Sequence, residues 1–449
     1  MTQPPDPNDP FGLSRMFGGD GGNLFAQLQR LLSWTGGPVN WDLAREVAEN
    51  GARSEDRPVT PDETREVADA GRLADHWLDP VTTLPAEGSE MAAWTRTGWL
   101  TTTLHTWRQL VDPVAARVTA AMGDALERGL SGEDLPPEVA GLLGSMGAAG
   151  GANPFAGVMQ QVGGLVFGAQ VGQALGTLAG EVLGTTEVGI PLGRPALLPL
   201  NVAAFAEGLE VPLDEVRLYL ALREAAHQRL FAHVPWLRAH LFDAVEAFAR
   251  GIEVDLSAIQ DAMGSFDPTN PEAVQDALSG GLFEQEPTPA QKAALARLEN
   301  VLALVEGWVD SVVDAAASAT LPHAAQLRET VRRRRASGGP AEQTFATLVG
   351  LQLRPRRLRE AAQMWELLTE RRGVDGRDAV WSHPDLLPDL DDPDSWLGAA
   401  PGSSEGATTD WDAGLRALDK DLDGELDDDA QSPYGLDGLD GEADSGPVG

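Results

Sequence analysis

Cysteine is absent from this 449-residue chain, which excludes disulfides, thiolate metal centres and cysteine nucleophiles together. Lysine is nearly absent as well: of 33 basic residues only Lys292 and Lys420 are lysine, and the other 31 are arginine. Any metal would therefore have to be held by His, Asp or Glu. Positive charge is the minority sign, with 33 basic against 69 acidic residues and a formal net charge of -36. That balance argues against nucleic-acid binding, because the phosphate backbone would be repelled. The first residues, MTQPPDPNDPFGLSRMFGGDGG, place Pro and Asp where a signal peptide needs a basic start and an apolar core, so a cytoplasmic protein is expected. A phosphate-binding G-x-x-x-x-G-K-[ST] motif and a G-x-S-x-G nucleophile elbow are both missing.

The patterning that is present is helical. Thr60-Pro61-Asp62-Glu63 and Thr288-Pro289-Ala290-Gln291 are capping boxes with proline at the first helical position. The second opens a helix expected to run to about Ala317. A short amphipathic helix is expected from Phe25 to Trp34, and Trp94, Trp99 and Trp107 are expected to pack between helices. Gly164, Gly168, Gly172, Gly176, Gly180 and Gly184 recur every four residues, which on a helix makes a groove for close backbone approach. The segment is uncharged from Phe155 to Gly180, yet Gln160, Gln161, Gln170 and Gln173 interrupt it and no basic cluster flanks it. A buried helix of a soluble core is expected rather than a membrane span, and the groove leaves an oligomer contact open. Residues 185–200 carry too many Pro and Gly for a helix and should be extended, with one or two short strands.

The expected architecture is mainly α: a flexible N-terminus over 1–22, one helical domain over 23–388 and an acidic disordered tail over 389–449. A subdomain boundary is allowed near the Gly/Pro/Ala-rich stretch 131–157. Arginines cluster at 328 and 332–335, and again at 354–359. Such clusters can bind phosphate or the protein's own tail, but most are a solvated helix face.

One stretch carries chemistry. Arg223-Glu224-Ala225-Ala226-His227 is the H-E-x-x-H zinc-peptidase signature with arginine at the first ligand position. Glu224 stands where the general base belongs and His227 at the second ligand. Two templates can complete the site. In the long form a third histidine follows the second by six residues, where this chain has His233, but Leu230 replaces the glycine that form needs for its turn. In the other, a glutamate on a following helix is the third ligand, and Pro235 would fold Glu246 back toward His227; this one is preferred. Zinc would then be held by His227, Glu246 and in addition His233. In the rival arrangement the always-protonated Arg223 sits in the metal's place and pairs with Glu246 or Glu224. Catalysis therefore turns on Glu224 and Arg223.

The run Val216–Phe231, continuing through Val234-Pro235-Trp236-Leu237-Arg238, resembles the actinobacterial zincin-like hydrolase family that is often labelled zinc-dependent metalloprotease. Gly37-Pro38-Val39-Asn40-Trp41, the glycine-spaced helix, Gly339-Pro340-Ala341-Glu342-Gln343, Leu353-Arg354-Pro355-Arg356-Arg357 and Trp381-Ser382-His383-Pro384-Asp385 extend the resemblance over about 23–390. It implies a mainly helical zincin-like fold, with Glu224 as would-be base, His227 as would-be zinc ligand and a peptide or protein as substrate or partner. Position 223 does not carry over.

Overall fold

Two of the helix starts show directly how the local sequence sets the architecture. Thr60 Oγ1 accepts the Glu63 amide at 3.2 Å while the Glu63 carboxylate takes the Thr60 amide at 2.9 Å. Thr288 and Gln291 repeat the exchange at 3.2 and 2.9 Å. Each pair satisfies two amide donors that a helix end leaves unpaired. The computed structural model describes residues 37–53, 55–130, 154–252, 288–336, 357–388 and 390. Within them are ten α-helices: α1 Trp41–Arg53, α2 Pro61–Leu78, α3 Arg96–Leu130, α4 Pro154–Glu181, α5 Pro199–Ala206, α6 Leu213–His233, α7 Pro235–Arg250, α8 Pro289–Ala317, α9 Ala324–Ala336 and α10 Arg357–Asp378. These elements belong to one unit, Met1–Leu390; Asp391–Gly449 is a second. The expected helix at Phe25–Trp34, most of the 131–157 connector and the acidic tail lie outside the described residues.

Among the described residues two short strands accompany the helices. β1, Ala92–Ala93, runs parallel to β2, Ala196–Leu197, with Ala92 opposite Ala196 and Ala93 opposite Leu197. β2 falls in the segment whose Pro and Gly content excluded a helix. Gly184 adds an antiparallel bridge to Leu197.

The glycine stripe is filled by the chain itself. α1 lies along α4 so closely that a Cβ on Gly168 would come within 2.6 Å of the Asn40 carbonyl oxygen, and one on Gly172 within 2.6 Å of that of Ala44. A Cβ at Gly176 would stand 3.1 Å from the Ala48 carbonyl. The Asn40 amide donates to the Gly164 carbonyl at 2.9 Å, pinning the crossing. The groove read from the four-residue spacing is thus an internal one. Gly184 is not part of it, because α4 ends at Glu181. No described helix is long and apolar enough to cross a membrane.

α6 runs through the middle of the fold, and every residue from Leu218 to Leu230 is buried. A helix covered on all sides carries no apolar stripe, and here α2, α5, α8, α9 and β2 supply the cover. The break after it is set by Pro235: Val234 takes a non-helical φ of -115° and ψ of 79°, and α7 starts at the proline. Tryptophans fill much of the remaining core. Trp99, Trp107, Trp308, Trp365 and Trp381 are fully buried. Trp365 stacks on Trp381 with centroids 5.2 Å apart.

Candidate functional site

Arg223 and His227 lie one turn apart on α6, and α8 turns Glu306 and Asp310, also one turn apart, toward them. Arg223 Nη2 donates to Glu306 Oε2 at 2.7 Å, and its Nη1 stands 4.0 Å from Asp310 Oδ1. His227 Nε2 lies 2.9 Å from Glu306 Oε1, and Nδ1 lies 2.8 Å from the Arg223 carbonyl oxygen. α9 closes the cluster from a third side. Arg335 Nη1 reaches Glu306 Oε1 at 2.7 Å, while Arg328 and Arg332 reach Asp310 Oδ2 at 2.7 and 2.6 Å. The arginines at 328, 332 and 335 therefore serve as counter-ions to buried acids, not as the solvated face their spacing suggested.

A buried carboxylate is stable only if its charge is met. Burial pushes Glu306 up, but Arg335, His227 and Arg223 together outweigh it and hold the carboxyl well below the ordinary range. Asp310 is also lowered: burial raises it, and Arg328, Arg332 and Arg223 more than reverse that. Both ring nitrogens of His227 face oxygens, those of the Glu306 carboxylate and the Arg223 carbonyl.

Glu224 points elsewhere. Its Oε2 accepts the Thr185 and Thr186 amides at 3.1 Å each and the Thr186 hydroxyl at 2.7 Å. Oε1 takes the Thr185 hydroxyl and, at 3.1 Å, the Gln228 amide. The carboxylate sits so close to the backbone that a Cβ at Gly184 would meet Oε2 at 2.6 Å. Glu224 thus locks the 184–186 segment to α6, and both its oxygens are occupied in doing so. Glu224 and His227 nonetheless line one narrow cleft together with Thr186, Arg334 and Arg335.

The remaining expected ligands are not brought to this cluster. His233 is exposed at the end of α6, its Nδ1 2.9 Å from the Arg229 carbonyl. Glu246 is exposed on α7, because that helix buries Leu237, Leu241, Ala244, Val245 and Phe248 and residue 246 falls off that face. Pro235 does end one helix and start the next, but the acid set against His227 comes from α8. The partner foreseen for Arg223, Glu246 or Glu224, is Glu306. A signal for it was present: Glu306 and Asp310 interrupt the apolar run Val301–Val313, and acids inside such a run must be buried with partners.

Residues 39–397 match the model of a family described as zincin-like metallopeptidase. The chain belongs to that family. The fold is also similar to the crystal structure of "a putative hydrolase with a novel fold from Chloroflexus aurantiacus", with a TM-score of 0.52 and 18% identity over 80% of this chain and 97% of that one. No curated protein matches.

The family name implies a metal, and the residues of this zincin-like chain can be tested against one. A zinc site of this kind needs three protein lone pairs and an open position. Position 223 offers a guanidinium, which has none, and both nitrogens of His227 already have oxygen partners within 2.9 Å. Glu306 already receives two guanidiniums and the imidazole. Among the described residues no three His, Asp or Glu side chains are grouped to hold a metal ion. The donor set does not fit zinc.

Proposed function

We propose that this zincin-like chain keeps the frame of a metallopeptidase with a guanidinium in the metal's place, and that it acts by binding a peptide or protein partner instead of hydrolysing one. The observation that carries this reading is the single carboxylate of Glu306 held by Arg223 at 2.7 Å and His227 at 2.9 Å. A positive charge is retained where zinc would supply one, yet a guanidinium has no vacant coordination position and cannot lower the pKa of a water as bound zinc does. Glu224 agrees with this, since its two oxygens are engaged by the Thr185–Thr186 segment and Gln228.

The test is elemental analysis of full-length protein purified after exposure to zinc, with thermal unfolding followed with and without chelator. Sub-stoichiometric zinc and an unshifted transition are expected. One zinc per chain, lost on His227→Ala, would sink the reading. The hydrolase alternative has one observation in its favour: Glu224 and His227 share a cleft. Peptide-bond cleavage that is abolished by Glu224→Gln would favour it.

A further inference from the structure

We propose that the cleft between α6, α8, α9 and the start of α10 is a binding site for a phosphate monoester. Its charged lining consists of Arg223, Arg332, Arg335 and Arg359 against Glu306 and Asp310. Four fixed positive charges face two negative ones, in a chain whose net charge is -36. The two acids are already satisfied from within, Glu306 by Arg223 and Arg335 and Asp310 by Arg328 and Arg332. The excess of two matches the charge of a phosphate monoester at neutral pH, about -1.5 to -2, and a lone carboxylate would leave half of it unmet.

Donor geometry points the same way. Guanidinium forks suit the tetrahedral oxygens of phosphate, and arginine, unlike lysine, delivers paired N–H donors. Two of the arginines lining the cleft have donor capacity to spare. Nε of Arg335 is buried without a hydrogen-bond partner, and the half-buried Arg359 has no carboxylate partner among the described residues. An unpaired buried N–H such as Nε of Arg335 is uncommon in a folded protein. Val331 and Leu358 add an apolar wall, which suits the organic half of an ester.

The inference rests on the reading that Arg223, and not a metal, occupies the centre, but its test is separate. Full-length protein is titrated calorimetrically with inorganic phosphate at constant ionic strength set by chloride, and in parallel with acetate. The expected result is one saturable phosphate site, weakened about tenfold by Arg359→Gln through loss of a charge-assisted bond. Arg333→Gln, on an exposed residue paired with Glu329, should leave it unchanged. Arg332→Gln provides a second variant if Arg359→Gln does not fold. No saturable phosphate binding, equal binding of acetate, or indifference to both substitutions would overturn the proposal. A metal-free protein that ignores phosphate defeats this proposal alone; stoichiometric zinc defeats the reading beneath it.

Discussion

Nε2 of His227 stands 2.9 Å from Oε1 of Glu306, a residue 79 positions later in the chain, and the other ring nitrogen faces the carbonyl of Arg223. The pair joins α6 to α8 at the centre of the fold. In that arrangement both ring nitrogens of the histidine already have oxygen partners. The same carboxylate holds Arg223 and Arg335, which makes Glu306 the residue on which the cluster depends.

Glu306→Gln should cost about 3–5 kcal/mol of folding stability, because it strands buried cations without their counter-charge. The pH dependence follows from the same residue. The folded-state pKa of Glu306 is depressed, so its stabilising contribution is fully present above the unfolded value of 4.5 and is lost as pH falls below it toward the folded value. Asp310 and Asp378 act in the same direction, whereas Asp112 and Asp314, raised by burial, oppose it. Urea unfolding measured between pH 7 and 3 should show native stability falling below about pH 4.5, with a shallower fall in Glu306→Gln. Parallel curves for the two proteins would contradict the assignment.

Arg223→His restores the signature and removes the guanidinium from the centre. Zinc binding is expected to appear, at about one ion per chain, with Glu306 as the candidate third ligand. Isothermal titration with zinc on both proteins reads this out. A variant as indifferent to zinc as the native chain would show that Arg335, or the direction of His227, also blocks the metal.

Two glycines of α4 should respond oppositely to the same substitution. Gly172→Ala drives a methyl to within 2.6 Å of the Ala44 carbonyl oxygen and 3.0 Å of its Cα, and α1 must shift, at a cost of about 1–3 kcal/mol. Gly180→Ala meets nothing within 4 Å and should stabilise by up to about 1 kcal/mol through helix propensity. Denaturation midpoints that move together for the two variants would exclude the packing account.

Tyr219 is 1% exposed, and its hydroxyl has no hydrogen-bond partner among the described residues. Burial pushes its pKa up to about 12, so it stays neutral and donates to nothing. Tyr219→Phe removes an unsatisfied polar atom and should be neutral or stabilising by about 1 kcal/mol. A thermal transition lowered by several degrees would reveal a partner for the hydroxyl.

Much of the architecture is legible in the chain because it is locally encoded. The capping boxes at Thr60 and Thr288 and the break at Pro235 each act within a turn or two and appear where the sequence puts them, and the glycine spacing does so at Gly168, Gly172 and Gly176. The site is only half legible. Arg223 and His227 share a face because a helix turns every 3.6 residues, and that an arginine cannot serve as a metal ligand can be read from residue type alone. The acid could not be read from spacing. Glu246 lies at a plausible interval from His227, but the apolar positions of α7 face α3 and α8, which leaves residue 246 in solvent.

The sequence by itself determined a helical protein without thiol chemistry, a strongly negative charge, and a permanent cation, Arg223, one turn before His227. Those are properties of residue type and short-range spacing. Only the tertiary structure decided which acid Arg223 and His227 share, which arginines of α9 neutralise it, and that Glu224 is turned toward Thr185 and Thr186. These pairings join residues far apart in the chain, and they are set by which helix faces must be buried together. Local pattern carries no record of that.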